Sequence, residues 1–217
     1  MKKYIESLSR INSIALSSCN NDEIDRYSES DIFWSPHKNG NTTFNHISKG
    51  EIYQFEFGKS FVPEMAYEHR GIVIGHSQKL LYVLPIYSYK PSPNSVPPLH
   101  IKDNPSGKSD LYLLKVSEFN FLKHDSVVKL NDIRTVSKAR IKYSHHVSIP
   151  ADSDTFLYIE SAAFKRYFPS ISFEFDRIKA DQQNLLYKVN ILQQQIQVLN
   201  ATIDSIKHQT ESQIAPK

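Results

Sequence analysis

The chain is poor in the residues that would stabilise it by chemistry other than packing. Among 217 residues there is one cysteine, Cys19, so no internal disulfide can form and a disulfide-stapled secreted scaffold is excluded. No apolar run approaches the roughly 18 residues that a bilayer crossing requires, because charged or amide side chains interrupt each one. The lone thiol and the missing span point to a cytoplasmic protein without a membrane partner. Leu16-Ser17-Ser18-Cys19 behind Lys2 and Lys3 superficially matches a lipoprotein cleavage site. The preceding segment carries Glu6, Ser7, Ser9, Arg10 and Asn12, too polar for a signal core, and Tyr4, Leu8, Ile11 and Ala15 instead mark one face of a short amphipathic helix. Glycine is scarce as well: all six lie between Gly40 and Gly107, so turns belong to the middle of the chain and long helix to its end.

Phosphate-binding glycine loops (GxxxxGK[ST] or GxGxxG) and the GxSxG nucleophile turn are absent, which removes the common nucleotide-binding and serine hydrolase classes. Nine histidines are present, yet none has H-x-x-x-H spacing or a cysteine pair to complete a zinc site, so neither metal nor cofactor is expected. What is present is 40% hydrophobic and 12% aromatic residues, enough for a packed core. The net charge of +3 arises in the middle: residues 50–142 carry 13 Lys and Arg against 9 Asp and Glu, whereas residues 1–49 balance and residues 143–217 carry 7 against 8. An anionic ligand would dock most naturally on that middle region.

Short apolar segments between turn signals predict strands at Tyr53–Phe57, Gly71–Gly75, Leu80–Tyr87, Leu111–Val116 and Ser126–Leu130. Lys90–Pro98, with four prolines, is an exposed loop. Five or six such strands suggest a small barrel or a strongly bent sheet. Asp152–Asp154 supplies N-cap residues for a helix from about Thr155 to Phe168, ended by Pro169, and Ile171, Phe173 and Phe175 then alternate briefly. The last segment has a heptad seam: Ile178, Leu185, Leu192, Leu199 and Ile206 in one row, Gln182, Val189, Ile196 and Ile203 in the other. Branched residues at a and mainly leucine at d fit a parallel two-stranded coil, each buried side chain contributing about 1.5–3 kcal/mol. Ile191 and Val198 widen the apolar face, so folding back on the same chain is the competing arrangement. The reading divides the chain into an N-terminal helical or irregular extension (1–48), a barrel domain (49–169) and a heptad helix (170–217).

One set of segments points further. Gly50-Glu51-Ile52-Tyr53 through Phe57-Gly58, then Glu64, His69-Arg70-Gly71-Ile72-Val73-Ile74, Val83-Leu84-Pro85-Ile86-Tyr87-Ser88, and the block Asp125-Ser126-Val127-Val128 to Ile133-Arg134-Thr135-Val136-Ser137-Lys138-Ala139-Arg140-Ile141 occur in that order. Together they resemble the successive motifs of the PemK/MazF toxins over about residues 49–142. The resemblance implies a mainly β, α+β fold built on an SH3-like barrel, a homodimer and an antitoxin partner. Residues 1–48 and the heptad tail have no counterpart in it, and the heptads add the coil as a second route to the dimer. The resemblance also implies a metal-independent endoribonuclease that cuts single-stranded RNA by attack of a ribose 2′-OH on the adjacent phosphate. That chemistry needs a fixed cation where charge builds on phosphorus and proton-transferring groups at the attacking and leaving oxygens.

By that resemblance Arg70 is the phosphate-binding arginine, with a surface pair to Glu68 as its alternative, and Glu64 is the matching acid. Where the family carries Thr or Ser at the end of the third strand, this chain has Tyr87 followed by Ser88. Adjacent strand residues face opposite ways, so the reading favours Ser88 in the site and Tyr87 in packing. Gly71 replaces the usual proline. His69 is a possible acid or base, or simply a loop histidine. Lys59, after Gly58, together with Glu68, His69 and Lys90, is expected to contact substrate. Arg134 matches another family arginine but is expected to organise the dimer or core. The alternative function is a catalytically inactive barrel that binds protein or nucleic acid, with the coil as scaffold.

Overall fold

A computed structural model describes residues 1–40 and 42–214, with side chains of 205 and 207–214 outside the description. The end of the 170–217 segment, residues 215–217, therefore lies outside the described residues. The chain divides into two compact units, one from Met1 to Tyr167 and one beginning at Phe168.

The first unit is α+β: helices α1 (Lys2–Ser18), α2 (Asn21–His37) and α3 (Asp154–Tyr167) accompany seven strands. The strands are β1 (Glu51–Glu56), β2 (Glu68–Ser77), β3 (Leu80–Ser88), β4 (Leu111–Leu114), β5 (Ser126–Lys129), β6 (Arg134–Ser137) and β7 (Ile141–Ser148). They form one antiparallel sheet in the order β4-β5-β3-β2-β1-β7. Strand β3 spends one edge on two partners, its Leu80–Val83 half on β6 and its Ile86–Ser88 end on β5. The outer strands β4 and β7 do not pair with each other, so the sheet is strongly divided but not closed into the barrel that the strand count suggests.

Both faces of the sheet are buried, and period-two alternation sorts the side chains between them. Ile52, Ile72, Leu84 and Ile86 join Tyr112, Leu114 and α3 residues Phe156 and Ile159 in one core. Tyr53, Phe55, Val73, Leu81 and Val83 form a second. This is why β1 reads only partly as an alternating strand: Ile52 and Tyr53 are consecutive yet both buried, one in each core. Gly71 is fixed by packing in the second core, between strands β1 and β3. A Cβ there would stand 2.3 Å from Val83 Cγ1 and 2.9 Å from Phe55 Cδ2, so neither proline nor any other side chain fits.

Local chemistry sets the helix starts. Asn20 Oδ1 accepts from Glu23 N at 3.0 Å while Glu23 Oε2 accepts from Asn20 N at 3.1 Å, a reciprocal capping box that launches α2. Ser153 Oγ accepts from Phe156 N at the head of α3. Cys19 lies just beyond α1, and Tyr4, Leu8 and Ile11 on that helix are exposed.

In the second unit a single helix, α4, runs from Pro169 to Ile214. Ile171, Phe173 and Phe175 lie within it, so their brief alternation does not make a strand. Pro169 starts this helix instead of merely ending the previous one, because at the first helical position its missing N–H has no bond to lose. The heptad residues from Ile178 to Ile206 are exposed. No helix among the described residues is long and apolar enough to cross a membrane.

Candidate functional site

The β2–β3 hairpin turns through Gln78 and Lys79, and its open end brings the start of β2 beside the end of β3. There Arg70 stands opposite Gln54 of β1 on one side and Ile86 of β3 on the other. The regular register carries Ser88, two residues beyond Ile86, to the same face, while Tyr87 points to the opposite one.

Arg70 lines a small cavity of about 60 Å³ with Ile86, Phe121, Leu122, His145 and Val147. Four parts of the chain contribute: Ile52 of β1, the hairpin, the β4–β5 connection and β7. The guanidinium is half-buried, and among the described residues no carboxylate pairs with it. A charge held this way keeps its donors available to an anion.

His145 hydrogen-bonds through Nε2 to Gln54 Oε1 at 3.0 Å, and its ring meets the edge of Tyr143 with centroids 5.2 Å apart. Burial, reinforced by the positive charge of Arg70, lowers the His145 pKa below its ordinary value of 6.5. Both causes favour the neutral imidazole. Because the amide oxygen can only accept, Nε2 carries the ring proton and Nδ1 offers its lone pair.

Two residues beyond the lining residues Ile86 and Leu122, Ser88 Oγ lies 2.6 Å from His124 Nε2. The connection bearing His124 is tied down where Tyr89 N donates to Asp125 O and Val116 N donates to Asp125 Oδ1. Phe121 and Leu122 of the same connection wall the cavity. Both Ser88 and His124 are exposed.

The other residues selected from the sequence lie elsewhere. Glu64, exposed in the β1–β2 connection, pairs with Arg134 at 3.3 Å and not with Arg70. Arg134 also donates to Met65 O at 2.7 Å and Ser60 Oγ at 3.1 Å and stands 2.7 Å from Asp132, so it pins that connection to the sheet. Glu68 pairs with Lys142 of β7, which corrects the surface pair with Arg70. His69 belongs to β2, not to a loop; it is half-buried, and burial together with the nearby Arg26 charge lowers its pKa. Tyr87 is half-buried, which raises its pKa. Lys90 is exposed beyond β3.

Lys59 belongs to a different concavity. A cavity of about 480 Å³ opens between α2 and the β1 end of the sheet, walled by Trp34, Lys38, Glu56, Lys59 and Arg140. Lys59 is held there by Asp31 at 2.8 Å, with its ammonium 3.3 Å from the Tyr27 ring centroid, and Ser30 Oγ donates to the buried Glu56 at 3.0 Å.

Sequence reading missed Gln54, His124 and His145 as site residues. The spacing of His124 and His145 fits no metal site, and the polar content of residues 144–146 hides the strand that carries His145. The available signal was the β-branched and aromatic content of Ile141–Val147, directly following the family-like block.

No family model matches the chain, and no curated protein matches it either. Among solved structures, one match is an endoribonuclease in complex with its cognate antitoxin from a mycobacterial species. It is 12% identical with a TM-score of 0.34, and the alignment covers 56% of this chain and 95% of that one.

Proposed function

We propose that this chain is a metal-independent endoribonuclease of the PemK/MazF type, with an SH3-like arrangement of its strands, that cleaves single-stranded RNA and is controlled by an antitoxin protein. The observation that carries the reading is Arg70: a half-buried guanidinium with no carboxylate partner among the described residues, lining a cavity at the sheet end where the family-like motifs converge. A half-buried guanidinium without a carboxylate partner keeps its donors free, and a phosphodiester supplies a matching anion.

In the proposed reaction the ribose 2′-oxygen attacks the adjacent phosphorus. The new O2′–P bond forms as the P–O5′ bond breaks, giving a 2′,3′-cyclic phosphate and a free 5′-OH. Arg70 binds the non-bridging oxygens as charge accumulates, and the Ser88 hydroxyl donates from the leaving side. Tyr87 supports the strand end by packing. Single-stranded substrate suits the site because unpaired nucleotides can bend into a cavity that a duplex could not enter. Sequence selection would reside on the loop bearing Lys90, with Lys59 contacting substrate only from its separate concavity beside α2, while Glu64 acts through Arg134 on the shape of the β1–β2 connection.

The test is incubation of the purified chain with mixed RNA in EDTA. Cleavage should persist in the chelator and fall about 10²-fold or more in Arg70→Ala, the scale of losing one preorganised charge-stabilising donor. Cutting abolished by EDTA, or unchanged in Arg70→Ala, would overturn the reading. RNA binding without any cleavage by the wild-type chain would favour the non-catalytic barrel.

A further inference from the structure

The geometry around Arg70 assigns proton transfer in this reaction to two histidines: His145 takes the proton of the attacking 2′-hydroxyl, and His124 returns one to the leaving 5′-oxygen through Ser88. This rests on the ribonuclease reading above and adds residues outside its arginine and hydroxyl.

His145 and Arg70 line the same cavity, on β7 and β2, with β1 between them. An anion drawn to the guanidinium thus comes to rest beside the imidazole. Gln54 holds that ring by accepting from Nε2, which leaves Nδ1 as the free acceptor. A base needs an open lone pair and a fixed orientation, and the Gln54 bond supplies both. The groups facing His145 are Arg70 from β2, Gln54 from β1, Tyr143 from β7 itself and the apolar pair Phe121 and Leu122 from the β4–β5 connection. Burial first, and Arg70 as the charged member second, shift the ring toward the unprotonated form that can accept.

On the other side of the hairpin end, Ser88 shares the face of Arg70, and its Oγ is 2.6 Å from His124 Nε2. In the proposed relay His124 donates from Nε2 to Ser88 Oγ while the hydroxyl passes its own proton to the 5′-oxygen. The proton count closes: one leaves the 2′-hydroxyl for His145, one leaves His124 for the 5′-oxygen, and exchange with water resets both rings. The cyclic phosphate and the 5′-OH are the products.

The test uses the full chain and the RNA that the wild type cuts in EDTA, with the cleaved bond mapped first. His145→Ala and His124→Ala should each lower kcat about 10²-fold, with KM little changed and the melting transition retained. Added imidazole should restore a measurable part of the His145→Ala rate, which a merely structural role would not allow. An oligonucleotide with sulfur in place of the bridging 5′-oxygen at the mapped bond separates the two roles, because a thiolate leaves without being protonated. On that substrate His124→Ala should approach the wild-type rate, and His145→Ala should stay slow. Gln54→Leu, which keeps the imidazole but frees its orientation, should lower kcat without removing cleavage. Wild-type rates in either histidine variant, alongside an inactive Arg70→Ala, would overturn this assignment and leave the ribonuclease reading standing. An Arg70→Ala that cuts normally would instead remove the reading beneath it.

Discussion

At the scale of single residues, the hairpin end combines a steric constraint with an electrostatic one. Gly71 must lack a side chain because Val83 and Phe55 occupy the space from both sides. Gly71→Ala should therefore cost about 1–3 kcal/mol through overpacking, visible as a lower denaturation midpoint. A variant as stable as wild type would show that Val83 and Phe55 yield freely. His69, next but one, provides a pH test. Its folded pKa lies below the ordinary 6.5, through burial first and Arg26 second. Above 6.5 neither state is protonated, so its contribution is fully present there. As pH falls through 6.5 the unfolded chain takes up the proton first, and stability is lost down to the folded pKa. His69→Gln should consequently lose less stability than wild type between pH 7 and pH 5 in thermal denaturation. Identical slopes would contradict the burial of this ring.

Elements show which parts of the fold were legible from sequence and why. β2, β3 and α3 were readable because their apolar residues follow a single period between clear turn signals. β7 was not: its Ser144, His145 and His146 dilute the strand pattern with polar residues, His145 among them lining the Arg70 cavity. Ile171, Phe173 and Phe175 misled for the opposite reason, since three alternating residues fit a strand by chance within a helix rich in apolar positions. α2 depends on an Asn20–Glu23 capping box that carries no periodicity. Arg70 and Ser88 could be selected from the order of motifs, but their neighbours His145 and Gln54 become visible only through strand register. Among these elements α3 is the energetic test. Phe156 is fully buried against the sheet, and Phe156→Ala should cost about 3–5 kcal/mol. A loss below about 1 kcal/mol would mean that α3 contributes little to the first core.

For the whole molecule, α4 is 46 residues long, and its heptad seam from Ile178 to Ile206 is exposed over about 42 Å at helical rise. A seam of Ile, Val and Leu in water lacks the burial that normally stabilises so long a helix. We expect a second copy to cover it. Leu192→Asp with Ile196→Asp should reduce the solution mass relative to wild type, as read by light scattering. If wild type is already monomeric, the heptads do not pair this chain. If the double variant stays dimeric, the sheet unit makes the dimer and the coil is free for another helix.

The chemistry of the RNA ends tests the central claim most directly. Wild-type chain in EDTA is predicted to leave a 2′,3′-cyclic phosphate on one fragment and a 5′-OH on the next, with Arg70→Ala yielding about 1% of those ends or fewer. Fragments bearing 5′-phosphate and 3′-OH, or equal yields from Arg70→Ala, would contradict it.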